Sequence, residues 1–138
     1  MRSILLLIFL CPLLSACLGP VDMGPGLDKI SFGFSESMRW RDYPGAATYV
    51  HPDVRENFLE QFKEDEDLHV VESSILSVAM DASAKRANVV YVMKYYRLPS
   101  TRIEKWRWEQ QWQLIQEKVA KPGVWLIENA PPTLPWKE

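Results

Sequence analysis

The sequence predicts an α+β domain in which N-terminal helices pack on a curved, four-stranded antiparallel sheet. Helical spacing and helix-capping residues fall between positions 30 and 63. Four runs rich in β-branched and aromatic residues follow, and turn residues separate them. Helices followed by consecutive strands is the order expected when the helices cover one face of an antiparallel sheet.

Proline, glycine and capping residues divide the helical part into short helices. A first helix is predicted over 35–43 with Ser35 as its cap, and a second, short helix over 44–49. A third is predicted over 54–63 with Asp53 as its N-cap, because an acidic residue follows three positions later at capping-box spacing.

The third strand has the clearest pattern of the four. Strands are predicted over 69–80, 87–97, 102 to about 118, and 124–128. One parity of the third strand holds Trp106, Trp108, Trp112 and Leu114. The other parity holds Lys105, Arg107, Glu109, Gln111 and Gln113, with Gln110 as an exception on the apolar side. This alternation predicts three indoles on a covered face and charge on a solvated face.

The N-terminus reads as an export signal. Arg2 precedes an apolar run over 4–10, and small residues follow. Leu14-Ser15-Ala16-Cys17 then resembles the lipobox of bacterial lipoproteins. That resemblance implies cleavage before Cys17 and fatty acylation, such as palmitate, on this residue.

Two alternatives to lipidation are an ordinary secretory signal and a transmembrane helix. The uninterrupted apolar run is shorter than the roughly 20 residues that span a bilayer, and Pro12 interrupts it. A cysteine directly after the small residues favours the lipoprotein over the ordinary signal. The residue after Cys17 is Leu18, whereas an Asp at this position retains such proteins in the inner membrane. The resemblance therefore implies a lipid anchor in the outer membrane, facing the periplasm.

The chain is therefore divided into four parts. Residues 1–16 are the signal peptide, 17–29 the lipidated cysteine and a Gly/Pro-rich tether, 30–129 the domain, and 130–138 a proline-rich tail.

The whole chain carries 16 Lys+Arg against 18 Asp+Glu, which excludes a general polyanion binder. Cys11 leaves with the signal, so the domain has no thiol or disulfide, and its 14 aromatic residues must supply the core.

Three stretches of the domain resemble the NTF2-like superfamily, which includes ketosteroid isomerase and SnoaL-type enzymes. They are the sequence over 41–47, the helix start over 51–55, and the last two strands up to Glu128. The resemblance covers 30–129 and implies a cone-shaped fold with a pocket between helices and sheet. A cystatin-like sheet wrapped on one helix is the alternative fold.

A conical pocket would be lined by polar and aromatic residues, and the candidates are Asp42, Tyr43, Tyr49, Tyr91, Trp106, Trp108 and Trp112. Asp42 is the one candidate for a catalytic base, but its sequence context favours a structural role at a helix end. The only histidines, His51 and His69, lie on different predicted elements without a cysteine nearby, so no metal site is predicted. We expect no catalytic residue and no cofactor.

Basic residues concentrate on the second and third strands. Lys94, Arg97, Lys105 and Arg107 are predicted to share one solvated face beside Tyr95, and Trp136 lies in the tail. These five residues, Lys94, Arg97, Lys105, Arg107 and Trp136, are the candidate partner surface. A solvated face that suppresses aggregation, and a tail that packs back on its own domain, are the structural alternatives.

The sequence therefore predicts a membrane-anchored, non-enzymatic binding or assembly module with an envelope protein as its partner. Binding of a small apolar ligand in the cone and a SnoaL-like activity are the alternatives. Nucleic acid is not expected as a partner, because an exported protein rarely meets it.

Overall fold

The computed structural model describes residues 26–63, 65–117 and 121–137 and confirms the α+β class. Its elements, in chain order, are α1 (Leu27–Arg39), α2 (Tyr43–Ala47), α3 (Pro52–Phe62), β1 (Leu68–Met80), β2 (Arg86–Arg97), β3 (Glu104–Ile115) and β4 (Val124–Ile127). Three helices pack on one face of an open antiparallel sheet. The signal peptide over 1–16 and the acylated Cys17 are predictions that lie outside the described residues.

Helix α1 starts eight residues earlier than the sequence predicted, so Ser35 lies inside the helix and is not its cap. Gly26 occupies the N-cap position, and residues 27–29, assigned above to the tether, form the first turn. The buried positions of the helix are Leu27, Ser31, Phe34, Ser35 and Met38. Their spacing is helical, but two of the five are serines, so the hydrophobic pattern alone did not reveal the first half of the helix.

Helices α2 and α3 begin with capping side chains next to prolines. Asp42 is the N-cap of α2, and its Oδ1 accepts a hydrogen bond from the Gly45 N–H at 2.9 Å. The predicted N-cap of α3, Asp53, is wrong by two residues. His51 is the N-cap, and its Nδ1 accepts from the Asp53 N–H at 3.3 Å. Pro52 fits the first turn of α3 because that position has no intrahelical partner for an N–H.

The sheet is a meander with strand order β1-β2-β3-β4. The pairs Tyr91–Trp108 and Met93–Trp106 show that odd positions of β2 share the helix-covered face with even positions of β3. The predicted parity of the indoles is therefore confirmed. Strand β1 departs from regular pairing with β2 at two places, where Val71 and Leu76 have no partner, and such bulges bend a strand and increase its twist.

The two edges of the sheet differ. Along β4, the Ile127 N–H donates to the Tyr49 carbonyl and the His51 N–H donates to the Ile127 carbonyl, both at 2.8 Å. The segment between α2 and α3 thereby covers this edge through a parallel bridge at Val50. Strand β1 forms the other edge, and in the described part of the chain β2 is the only strand that pairs with it.

The core is built around Phe34 of α1, which is fully buried. Its ring contacts five other aromatic rings, with centroid distances of 5.2–6.3 Å, on Tyr49, Phe58, Tyr91, Trp108 and Trp112. Four of these contacts are edge-to-face, the geometry that brings a positive ring edge against a negative ring face.

The C-terminal tail packs back on the domain as an ordered strap. Leu134 is fully buried, and its N–H donates to the side-chain oxygen of Gln61 at 2.9 Å. The Trp136 ring lies 4.9 Å from that of Tyr95, and its Nε1 donates to Asp65 at 2.7 Å. The strap therefore joins α3 to the end of β2, and the tail is not a free extension.

We expect Phe34→Ala to lower the free energy of unfolding by about 3–5 kcal/mol, because it removes a buried ring and leaves a cavity among five others. Trp40→Ala is the matched control at the C-cap of the same helix. It deletes a larger ring that is 74% exposed, so it should cost no more than about 0.5 kcal/mol. Urea unfolding followed by circular dichroism measures both. Equal losses in the two variants would contradict this account of the core.

Candidate interaction surface

The structure places four of the predicted pocket residues in the packed core. Tyr91, Trp106, Trp108 and Trp112 are each at most 4% exposed. Trp106 and Trp108 contact each other at 6.0 Å between centroids, and Phe58 stacks on Trp108 at 6.1 Å. Aromatic rings from the helices therefore fill the space in front of these sheet residues.

The other three pocket candidates lie at the helical junctions. Asp42 is exposed and is the N-cap of α2. It therefore has a structural role at a helix end, which its sequence context favoured over a catalytic one. The Tyr43 ring stacks on Phe62 at 4.7 Å, and Tyr49 meets Phe34 edge-on. The structure does not bring the Asp42 carboxylate together with the buried rings.

A short chain of hydroxyl groups connects α1 to the sheet. Ser35 Oγ lies 3.0 Å from Ser73 Oγ, which lies 2.8 Å from the Tyr91 hydroxyl. Burial raises the pKa of Tyr91, so its hydroxyl stays protonated and takes part in these hydrogen bonds. This chain explains why Ser35 occupies the buried face of α1, whereas Ser31 Oγ donates to the Asp28 carbonyl at 3.2 Å within the helix.

Two more tyrosines near the strap have perturbed ionisation. Burial raises the pKa of Tyr43 to about 12, and its hydroxyl has no hydrogen-bond partner among the described residues. Burial also raises the pKa of Tyr95 to about 12, with a further contribution from the Glu104 carboxylate, which accepts from its hydroxyl at 3.2 Å. Neither phenol is therefore suited to act as a base near neutral pH.

We expect stability to fall at alkaline pH because these phenols must ionise. Since their pKa values in the folded chain lie above the ordinary value of 10, their contribution is complete below about pH 10 and is lost as the pH rises through 12. Urea unfolding at pH 9–12, with tyrosinate absorbance, measures the effect. Tyr43→Phe should lose less stability over this range than the unmodified chain, and an identical pH profile would contradict the assignment.

The outer face of the sheet, away from the helices, carries a shallow groove of about 440 Å³, which we call the outer groove. Leu76 and Val92 contribute apolar surface, and Glu72 and Ser74 lie at one side. Lys94, Lys105 and Arg107 form a basic rim. Three of the five predicted partner-surface residues thus come together here.

The basic rim contains a like-charge pair. Lys94 and Lys105 are direct cross-strand partners, an arrangement that costs free energy unless an anion lies nearby. Lys94 donates to Glu72 at 2.6 Å, and this hydrogen bond is the main reason why the pKa of Glu72 is lowered. Arg107 lies 3.2 Å from Glu109. Within the described ranges, Lys105 has no carboxylate within 4.0 Å, so it is the rim cation with the most capacity for an outside anion.

The predicted single face beside Tyr95 is wrong for Arg97, because Arg97 and Tyr95 lie on the opposite side of the sheet from Lys94. The tail residue Trp136 packs on that opposite side as well. Arg97 differs from Lys94 by an odd number of positions in a regular strand, and side chains alternate between faces. It lies 3.4 Å from Asp65 and 5.5 Å from the Trp136 ring centre. The strap and its ion pair therefore form a structural contact separate from the outer groove.

Sequence reasoning missed Asp65, Leu76 and Val92. Asp65 belongs to the acidic run 64–67, a composition typical of a solvated turn, but its side chain is only 5% exposed between Arg97 and Trp136. Leu76 is on the outer side because β1 is bulged there, and no residue pattern marks the bulge. Val92 could have been found, since it shares its parity with Lys94.

Known proteins give no function for this surface. No protein-family model matches the chain, and no curated protein matches its sequence at a significant level. No helix within 26–63, 65–117 and 121–137 is long and apolar enough to cross a membrane. Across the same residues, no three His, Cys, Asp or Glu side chains are grouped as a metal site would require.

Proposed function

We propose that this chain is a lipid-anchored protein of the bacterial envelope that binds a protein partner through the outer groove and is not an enzyme. The anchor follows from the resemblance of Leu14-Ser15-Ala16-Cys17 to a lipobox. Several acyl chains hold a protein at a bilayer, since each buried methylene contributes about 0.8 kcal/mol. An outer-membrane location facing the periplasm follows from Leu18 by the same resemblance.

The outer groove is the observation that carries the binding proposal. Its apolar floor at Leu76, which is 60% exposed, lies next to cations on two neighbouring strands. A partner segment with an apolar side chain flanked by acidic residues would complement both features. Acidic side chains would also supply a close carboxylate for Lys105, which has none within 4.0 Å among the described residues.

The packed interior favours surface binding over the two alternatives, an apolar ligand in the cone and a SnoaL-like reaction. Both require space in front of Trp108 and Trp112, where the Phe34 ring lies at 5.9 and 6.3 Å. A proton-abstracting enzyme also requires a carboxylate beside that space, and Asp42 instead caps α2. The order of three helices followed by an antiparallel sheet is compatible with the proposed NTF2-like fold.

We expect Cys17→Ser to abolish fatty-acid incorporation, because the acyl chains attach to this thiol and to the amine that cleavage creates there. Cells expressing the chain are fed an alkyne-bearing palmitate analogue, and the purified protein is assayed for label and intact mass. Cys11→Ser is the matched control and should remain labelled, since Cys11 belongs to the signal peptide. Labelled Cys17→Ser protein would contradict the anchor.

We expect the double variant Lys105→Glu/Arg107→Glu to recover at least ten-fold less partner than the unmodified chain. The reason is that an acidic segment would meet two carboxylates in place of two cations. Crosslinking in intact envelopes followed by quantitative mass spectrometry measures partner recovery and identifies the crosslinked segment.

Lys85→Glu/Lys121→Glu is the control for that experiment, because it changes the net charge equally at two exposed lysines outside the groove. Its partner recovery should match that of the unmodified chain. Unchanged partner recovery by the groove variant would contradict the binding proposal. It would not bear on the lipid anchor, which the Cys17 experiment tests separately.

A further inference from the structure

We propose that the free edge of β1 pairs with the same edge of a second copy of this chain. The pairing is antiparallel, is centred within residues 73–80, and joins two four-stranded sheets into one of eight strands. It uses the backbone edge of the sheet and not the basic rim, and it shares only Leu76 with the outer groove.

The two edges of the sheet are treated differently by the fold. Backbone hydrogen bonds from Tyr49 and His51 cover the outer edge of β4. Strand β1 is 13 residues long and, among the described residues, pairs only with β2. Its other side presents backbone N–H and C=O groups that form a template for another strand, and the bulge at Leu76 interrupts their regular spacing within the pairing stretch.

The last eight residues of this edge have no charge to prevent self-pairing. Natural edge strands are commonly protected by lysines or other charges, but residues 73–80 read Ser-Ser-Ile-Leu-Ser-Val-Ala-Met. In a two-fold pairing, each residue meets a residue from the same stretch of the other copy. A charge there would face its own like charge, so a neutral stretch is the complement that a second copy requires.

Apolar side chains are exposed on both sides of this edge. Leu76 is 60% exposed on the outer side. On the helix side, Val78 and Met80 are 45% and 47% exposed, and Phe32 of α1 is 63% exposed. Phe32, Ile75 and Val78 line a groove of about 350 Å³ between α1 and β1. A peptide in that groove would cover one side alone, whereas a strand of a second copy, with its own α1, supplies apolar surface on both.

The covered edge of β4 limits the assembly to two copies. After two β1 edges pair, the outer strands of the joined sheet are both β4, and each is already hydrogen-bonded to the 49–51 segment. The contact is therefore isologous and closed, and it does not propagate into a fibre. Because Leu76 lies in the outer groove and next to the edge, the dimer would present its two basic rims on one side of the joined sheet.

Charge variants at Ser77 test the pairing. Ser77 is exposed and lies near the middle of the neutral stretch, so Ser77→Lys and Ser77→Glu each place like charges close together across the two-fold axis. The full chain, extracted in detergent, is analysed by sedimentation velocity with the detergent contribution subtracted. We expect a dimer for the unmodified chain and at least ten-fold weaker dimerisation for each variant alone.

An equal mixture of the two variants should recover a mixed dimer, because Lys then meets Glu. Ser100→Lys is the matched control in the β2–β3 turn and should dimerise as the unmodified chain does. A monomeric unmodified chain, equal weakening by Ser100→Lys, or failure of the mixture to associate would each overturn the proposal.

A disulfide test covers the case in which a charge at Ser77 disturbs folding. Ser77→Cys, oxidised in intact cells, should give a covalent dimer on non-reducing gels, and Ser100→Cys should not. Absence of the Ser77→Cys dimer, or a crosslink to another protein in its place, would reject self-pairing at this edge.

Discussion

The structure depends on the contact between one ring, Phe34, and five aromatic rings contributed by α3, β2, β3 and the segment after α2. Helix α1 has only a few large apolar side chains on its buried face, and two of the buried positions are serines. Phe34 is the largest buried side chain of α1, and its loss would weaken the packing of the helix on the sheet, since a helix of 13 residues draws its stability from packing more than from propensity. The hydroxyl chain from Ser35 to Tyr91 then fixes the orientation of the helix that the ring anchors.

This way of filling the core determines where recognition can take place. Indoles from β3 and phenyl rings from α1 and α3 occupy the interior, and the strap closes one end through Leu134 and Trp136. The surfaces with unusual chemistry are consequently outside, on the far face of the sheet and along its first strand. A lipid anchor at Cys17 would hold both surfaces near a membrane, where the local concentration of partners and copies is raised.

The sequence predicted most of what periodicity controls. The alternation in β3 correctly assigned Trp106, Trp108 and Trp112 to the covered face, and it marked Gln110 as an exception. The structure explains that exception, since Gln110 is fully buried and its Oε1 accepts from the Trp112 indole at 2.9 Å. The strand limits were right to within about three residues, because turn residues border each run.

The errors arose where tertiary contacts override local pattern. Ser31 and Ser35 hid the buried face of α1, since neither adds to a hydrophobic stripe and the partner of Ser35, Ser73, is remote in sequence. Asp65 looked like part of a solvated acidic turn, but Arg97 and Trp136 converge on it from two other elements. Arg97 was grouped with Lys94 by proximity along the chain, although strand parity separates them.

The two bulges in β1 give this strand an uncommon tolerance to changes in length. Removing one residue from a regular strand inverts the faces of everything beyond the cut. Here Val70 and Glu72 already lie on opposite faces, as do Ile75 and Ser77, so a deletion of Val71 or Leu76 restores ordinary alternation and keeps every other side chain on its side. Divergent versions of this domain can therefore differ by single-residue gaps in mid-strand. An alignment that confines gaps to loops would then pair the residues on one side of the gap with the wrong positions.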